Sequence, residues 1–167
     1  MFDELTKEDI QKMQEELDYR TRELRPKLIE DVKTARAFGD LSENFEYKAA
    51  KREKNRNDSR VRYLERMIKT ARVISGSSVG DAAGLYDRVT IRAEDDGSER
   101  VITLVTTLRQ NAPEGLISKE SPVGKAVMGH KVGDRVYVSL GEGDGYWLDI
   151  LAIEKGSDDG SIPIRGY

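Results

Sequence analysis

Glycine divides this chain in two. Residues 1–75 hold one glycine, Gly39, and one proline, Pro26, whereas residues 76–167 hold the other fourteen glycines and three prolines. A stretch without glycine can sustain long helices, and frequent glycine imposes turns and short strands. The chain therefore reads as a helical part, 1–75, and a sheet-forming part, 76–167, joined through Ser75-Gly76-Ser77-Ser78. Charged residues make up 35% of the 167 and hydrophobic ones 37%, against ~25% charged in an ordinary globular protein. One large core is excluded. An extended charged element beside a small globule fits.

In the first part Ile10, Met13, Leu17 and Leu24 follow helical spacing, and Leu28, Val32 and Ala35 continue the stripe one residue out of register. This predicts an amphipathic helix of ~30 residues with Thr6 as N-cap and Glu8 and Asp9 in its first turn. Pro26 falls inside it and predicts a local bend, because the stripe continues beyond. A second stripe runs through Tyr47, Ala50, Val61, Leu64, Ile68 and Ala71, with Lys54 and Asn57 filling the remaining slots. Two such helices joined by a few residues form an antiparallel coiled-coil hairpin with arms of roughly 45 Å. Its narrow seam leaves most of its surface in water, which accounts for the excess charge.

The second part alternates like strands at residues 86–92, 100–105, 135–138 and 146–153. Glu94-Asp95-Asp96-Gly97 turns the first strand into the second. Ser121 followed by Pro122 starts a short helix that Gly129 ends. The tail around Gly156-Ser157-Asp158-Asp159-Gly160 has the composition of a flexible segment. The expected class is α+β: a helical hairpin, then a twisted antiparallel sheet with one short helix. Trp147 is expected in the core of that sheet.

Several functions are excluded early. Net charge is −3, which does not suit a chain that coats DNA through uniform basicity. The absence of cysteine excludes disulfides, thiolate metal clusters and cysteine nucleophiles. His130 is the sole histidine and is expected in a surface loop. The opening residues are charged and no run approaches the ~20 apolar residues of a membrane span, so neither a leader nor membrane insertion is expected, and the cytoplasm is.

The hairpin connection reads Gly39-Asp40-Leu41-Ser42-Glu43-Asn44. Asp40 and Glu43 are three residues apart, so their carboxylates can converge as two oxygen ligands for Mg²⁺. An octahedral ion needs further ligands from elsewhere. Spacing alone serves capping equally well, with Asp40 or Ser42 as N-cap and Glu43 and Glu46 complementing the helix N-terminus. Charge is also uneven: residues 1–46 carry 8 basic and 13 acidic side chains, whereas 47–75 carry 10 basic and 3 acidic. Lys48, Lys51, Arg52 and Arg56 lead that basic run as candidate RNA or DNA contacts. The alternative is a solvated face with ion pairs worth under ~1 kcal/mol each.

Residues 35–51, from Ala35-Arg36-Ala37-Phe38 through Gly39-Asp40-Leu41-Ser42-Glu43-Asn44 to Glu46-Tyr47-Lys48-Ala49-Ala50-Lys51, resemble the tip signature of the bacterial Gre transcript-cleavage factors. Residues 117–129, containing Ser121-Pro122-Val123-Gly124-Lys125-Ala126, followed by Lys131-Val132-Gly133-Asp134, resemble the FKBP-like C-terminal domain of the same family. The resemblance implies a coiled coil that enters the secondary channel of RNA polymerase while the C-terminal domain docks at its rim, with Ser121, Pro122 and Gly124 as candidate partner contacts. It implies that Asp40 and Glu43 help the polymerase hold a second Mg²⁺ and position water, so that backtracked RNA is cleaved near its 3′ end. Ser42 is a candidate hydrogen-bond donor to that water or RNA. Leu41, Phe45 and Tyr47 are expected to shape the tip and the seam, and Asn44 to fix the turn through its amide. Such a chain is not an enzyme by itself, binds no cofactor tightly alone, and is expected to be a monomer.

Residues 102–115 depart from the family's usual pattern, and so does the tail to Tyr167. Three rival readings follow: a Gre-like inhibitor that occupies the channel without promoting cleavage, an FKBP-type prolyl isomerase, and a coiled-coil adaptor that does not need its acids.

Overall fold

The computed structural model describes residues 3–39 and 44–166. They divide into two compact units, Ile10–Ala71 and a second formed by Asp3–Asp9 with Arg72–Gly166.

The first arm is continuous, α1 (Lys7–Tyr19), a π turn (Arg20–Leu24) and α2 (Arg25–Arg36), and from Ile10 onward it belongs to the helical unit. Thr6 Oγ1 accepts from Asp9 N–H at 3.1 Å and Asp9 Oδ2 accepts from Thr6 N–H at 3.0 Å, so the expected cap is a reciprocal one. Pro26 has no N–H for the carbonyl four residues back, and its ring crowds that carbonyl. The chain resolves this by widening the preceding turn, with Arg25 N–H donating five residues back to Arg20 O. A π turn thus absorbs the proline where the sequence predicts a bend. The second arm is α3 (Phe45–Thr70).

The arms run antiparallel, since Glu16 meets Arg60, Arg20 meets Asn57 and Arg36 meets Tyr47. Met13, Ala35, Leu64 and Met67 are buried in the seam. Ile10, Leu17, Leu24, Leu28 and Val32 are half-buried along it, as their spacing predicts. Two polar residues are buried there as well, Asn57 and Arg60. Arg60 grips Glu16 with two hydrogen bonds, 2.8 and 3.0 Å, and Arg20 adds a third at 2.8 Å. Asn57 accepts from Arg20 Nη1 at 2.9 Å and donates to the Arg20 carbonyl at the head of the π turn.

The sheet unit opens with a two-stranded parallel pair, β1 (Glu4–Leu5) with β2 (Arg72–Val73). Its main sheet contains β3 (Arg88–Ala93), β4 (Glu99–Val105), β5 (Leu116–Ser118), β6 (Arg135–Gly141) and β7 (Asp144–Glu154), in the order β5-β4-β3-β7-β6. All neighbours are antiparallel except β5, a short strand parallel to β4 that the alternation does not reveal. Helix α4 (Pro122–Val127) has Ser121 as its N-cap, as expected, and Gly129 follows it at φ +80°, a left-handed conformation suited to glycine. The core gathers Val89, Ile91, Ile102, Leu104, Ile117, Val127, Val136, Val138, Leu148 and Ile150.

Three expectations are corrected. Trp147 is 40% exposed and lies outside the core. Leu148 and Ile150 point inward, so strand alternation turns residue 147 outward, where it packs on Tyr137 at 5.1 Å with Arg135 3.9 Å above its ring. Nor is the segment around Asp158 a loose tail. Arg109, 1% exposed, holds both Asp158 carboxylate oxygens at 3.1 and 2.9 Å, Asp9 Oδ1 at 2.7 Å and the Ile162 carbonyl at 2.9 Å. Thr6 and Thr106 hydroxyls complete this network on Asp158 and Asp9. Finally, Ser75-Gly76-Ser77-Ser78 belongs to the sheet unit: Gly76 O accepts from Asp158 N–H, and Ser78 Oγ donates to the buried Asp87.

Candidate functional site

The acid-bearing connection is reached from both arms. At the end of α2, Ala37 N–H donates to the carbonyls of Lys33 and Thr34, and Phe38 N–H donates to Ala35 O at 3.2 Å. Gly39 follows at φ +127°, a backbone conformation open to glycine and strained for other residues. Asp40, Leu41, Ser42 and Glu43, which include the candidate metal and water-positioning residues, lie outside the described residues.

The far side is fixed by Asn44. Its Oδ1 accepts from Tyr47 N–H at 2.9 Å, which makes it the N-cap of α3, and its Nδ2 donates to Ala35 O at 2.7 Å. One amide therefore caps the second arm and ties it to the end of the first, the role expected of Asn44. The cap comes later than the Asp40 or Ser42 that spacing allows. Asparagine caps as well as aspartate or serine, and here its amide also donates to Ala35 O.

Around this frame aromatic rings alternate with cations. Phe45 is 80% exposed, so it is no seam residue, and Lys48 Nζ stands 5.7 Å from its ring centre. Tyr47 is half-buried; Arg36 donates to its hydroxyl at 3.3 Å and Lys51 lies 5.9 Å from its ring. The hydrogen bond from Arg36, aided by the charges of Lys51 and Arg36, holds the Tyr47 phenol below its ordinary pKa. Lys48, Lys51, Arg52 and Arg56 are all exposed on α3, and with Asn55 and Ser59 they line an open depression of ≈520 Å³. Lys48, Arg52 and Arg56 recur at four-residue spacing with Lys51 beside them, so the four share one broad side of α3. Phe38, 72% exposed, is the feature that sequence reading passes over. The signal available for it is a large apolar residue directly before a glycine that ends a helix.

In the sheet unit Ser121 Oγ accepts from Gly124 N–H at 3.1 Å and donates to Ser118 O at 2.7 Å. Gly124 is buried, and a β-carbon there would collide with the Ser118 carbonyl. It lets α4 approach β5 and offers no side chain to a partner, whereas Pro122 is exposed beside the half-buried Ser121. His130 is exposed in the turn before β6, next to Asp134 at 3.2 Å. The described aromatics of this unit lie apart from one another, save Tyr137 and Trp147, which pack together. Tyr86 is buried under Arg109, Tyr137 and Trp147 face outward, and Tyr146 lines a small cavity of ≈80 Å³ beside Val123 and Leu148. Among the described residues no cluster of three His, Cys, Asp or Glu could hold a metal ion, and no helix is long and apolar enough to cross a membrane.

Comparison with known proteins covers both units. Residues 4–73 match the family model "Transcription elongation factor, N-terminal", and residues 76–155 match "Transcription elongation factor, GreA/GreB, C-term". The chain is 38% identical over 152 residues to transcription elongation factor GreA of Oenococcus oeni, covering 90% of this chain and 94% of that protein. With GreA of Bacillus subtilis it is 39% identical over 140 residues, covering 84% and 89%. The solved structure of GreA factor homolog 1 from Thermus thermophilus is similar at 25% identity and a TM-score of 0.43, covering 92% of this chain and 99% of that one. With both halves matched in order and such relatives spanning most of its length, the chain belongs to the GreA/GreB family of transcription elongation factors.

Proposed function

We propose that this elongation factor inserts its hairpin into the secondary channel of RNA polymerase and stimulates the polymerase's own cleavage of backtracked RNA. The observation that carries this reading is the Asn44 clamp. By joining the N-cap of α3 to Ala35, it anchors the two ends of a connection that contains Asp40 and Glu43. The first arm, 30 residues from Lys7 to Arg36, is ~45 Å long at helical rise, a length suited to carrying carboxylates into a deep channel.

Two carboxylates are hard oxygen donors and fit Mg²⁺ chemically, though as a minority of its six ligands. Asp40 and Glu43 would hold the ion jointly with polymerase groups. The bound ion supplies Lewis acidity, lowering the pKa of water and offsetting charge on the phosphate. Ser42 donates a hydrogen bond to that water or to RNA. Lys48, Lys51, Arg52 and Arg56 attract the phosphates of the nascent 3′ end. The exposed Pro122 with Ser121 contacts the channel rim, and Gly124 shapes that surface from beneath. The chain contributes groups to another machine's active centre in the cytoplasm and acts as a monomer, not as an enzyme alone.

The test is Asp40→Ala combined with Glu43→Ala, assayed on backtracked complexes. Release of 3′ fragments should fall at least ~100-fold while polymerase binding persists. Undiminished cleavage would support the adaptor reading. If the unaltered protein slows synthesis and releases no fragments, it is an inhibitor. Turnover of a proline-containing peptide would revive the isomerase reading.

A further inference from the structure

Among the described residues of the helical unit three large hydrophobic side chains stand exposed, Tyr19, Phe38 and Phe45, and two of these flank the connection. Both are anchored through the backbone. Phe38 N–H and the Asn44 amide share one acceptor, the Ala35 carbonyl, and Phe45 directly follows Asn44 as the first residue of α3. Neither ring contributes to the seam, so the chain keeps two phenyl groups in water at the end of a charged rod.

What should cover them is set by the surface that adjoins them. Lys48, beside the Phe45 ring, begins a row on α3 at spacings of four and three: Lys48, Arg52, Asn55, Ser59, Arg62, Arg66 and Lys69. Every member is exposed and none is acidic. An apolar protein groove would match the rings but not this row. A single nucleic-acid strand matches both, with phosphates for the cations and flat π faces for the rings.

We propose that Phe38 and Phe45 form a stacking site for unpaired nucleobases of single-stranded RNA, with Lys48 on the adjoining phosphate. The inference rests on the reading above, in which an RNA 3′ end is what the apex meets, and it assigns the bases a contact separate from the carboxylates.

The experiment uses the full chain bound to polymerase on backtracked RNA carrying 2-aminopurine at its 3′ end, a base whose fluorescence is quenched by stacking. The unaltered chain should quench it, and Phe38→Ala with Phe45→Ala should abolish the quench; Phe38→Tyr with Phe45→Tyr should retain it. The alanine pair should also weaken binding to the backtracked complex roughly tenfold, within the range that base–aromatic stacking supplies. An abasic 3′ nucleotide should erase the difference between the variants. No quench by the unaltered chain overturns the proposal. So does an equal loss on normal and abasic RNA, which would assign the rings to a wall of the polymerase. The two readings fail separately: quenching without released fragments sinks the cleavage role alone, and fragments without quenching sink the stacking site alone.

Discussion

The helical unit and the sheet unit each contain a carboxylate–arginine network, one carboxylate between two arginines in the first and two carboxylates on one arginine in the second. In the helical unit the network lies in the seam itself. Arg60 retains 6% side-chain exposure but Glu16 keeps 21%, so water remains a partner of the carboxylate. In the sheet unit Arg109 and Asp9 are fully buried and Asp158 keeps 2%, with threonine hydroxyls and a backbone carbonyl as the other partners. A hairpin has too little apolar surface to exclude water from its polar contacts, and the sheet unit does not share that limit. Similar chemistry should therefore carry different penalties when broken.

The largest effect is expected for Arg109→Ala. It strands two buried carboxylates, and urea unfolding should show a loss of about 3–5 kcal/mol. Arg109→Met combined with Asp9→Asn and Asp158→Asn should recover much of that loss, because no buried charge is then left without a partner. Arg60→Ala should cost less, about 1–2 kcal/mol, since Glu16 keeps Arg20 and water. Equal losses in the two units would erase the distinction.

A smaller effect in the helical unit is read through pH. Burial alone would raise the pKa of Glu16, but the hydrogen bonds from Arg60 and Arg20 outweigh it and hold the carboxyl below its ordinary value. A carboxyl depressed in the folded state contributes stability above its unfolded pKa of about 4.3 and loses it as pH falls through the folded value. Glu16→Gln should remove that component, flattening the decline in stability below about pH 4.3. An unchanged acid limb would show that the Glu16 contacts carry no net free energy.

The contrast between the units also explains what could be read from sequence. The hairpin was legible because helical periodicity is a local signal, and Met13, Leu24, Val32 and Leu64 lie in or along the seam as spacing predicts. Arg60 was not legible in the seam, because its burial depends on Glu16 of the other arm, 44 residues away. The same holds for Asp158, whose partner Arg109 is 49 residues distant, so an acidic glycine-flanked segment reads as solvated. Strand β5 has only three residues and pairs in parallel with β4, with no tight turn to announce it. At the connection, spacing offered Asp40 or Ser42 as the cap, and the cap at Asn44 was not legible because its amide also bonds Ala35 of the other arm, nine residues away. The family resemblance was legible because it rests on contiguous strings, whereas exposure of Phe38 and Phe45 was not, since aromatic residues in a helix pattern read as core.

The smallest expected effect concerns the outer face of the sheet, where Trp147 tests whether burial, and not residue type, decides the cost. Its inward neighbour Leu148 is 2% exposed, and Leu148→Ala should cost about 2–5 kcal/mol through lost contacts and a cavity. Trp147→Ala removes a larger side chain that is 40% exposed, and loss of its ring contacts with Tyr137 and Arg135 should cost less, about 0.5–1.5 kcal/mol. Because Trp147 is the sole tryptophan, its fluorescence reports on this face directly. Emission should be that of a solvent-accessible indole, quenched by acrylamide in the native state, and Arg135→Ala should increase that quenching by uncovering the ring. A blue-shifted emission resistant to quenching, with a stability loss matching that of Leu148→Ala, would return Trp147 to the core and require a different strand register in β7. That register is constrained by the pairing of Tyr137 with Trp147 and Val136 with Leu148. A slip by one residue would exchange the faces of every side chain along the strand, so a single indole discriminates between the two arrangements.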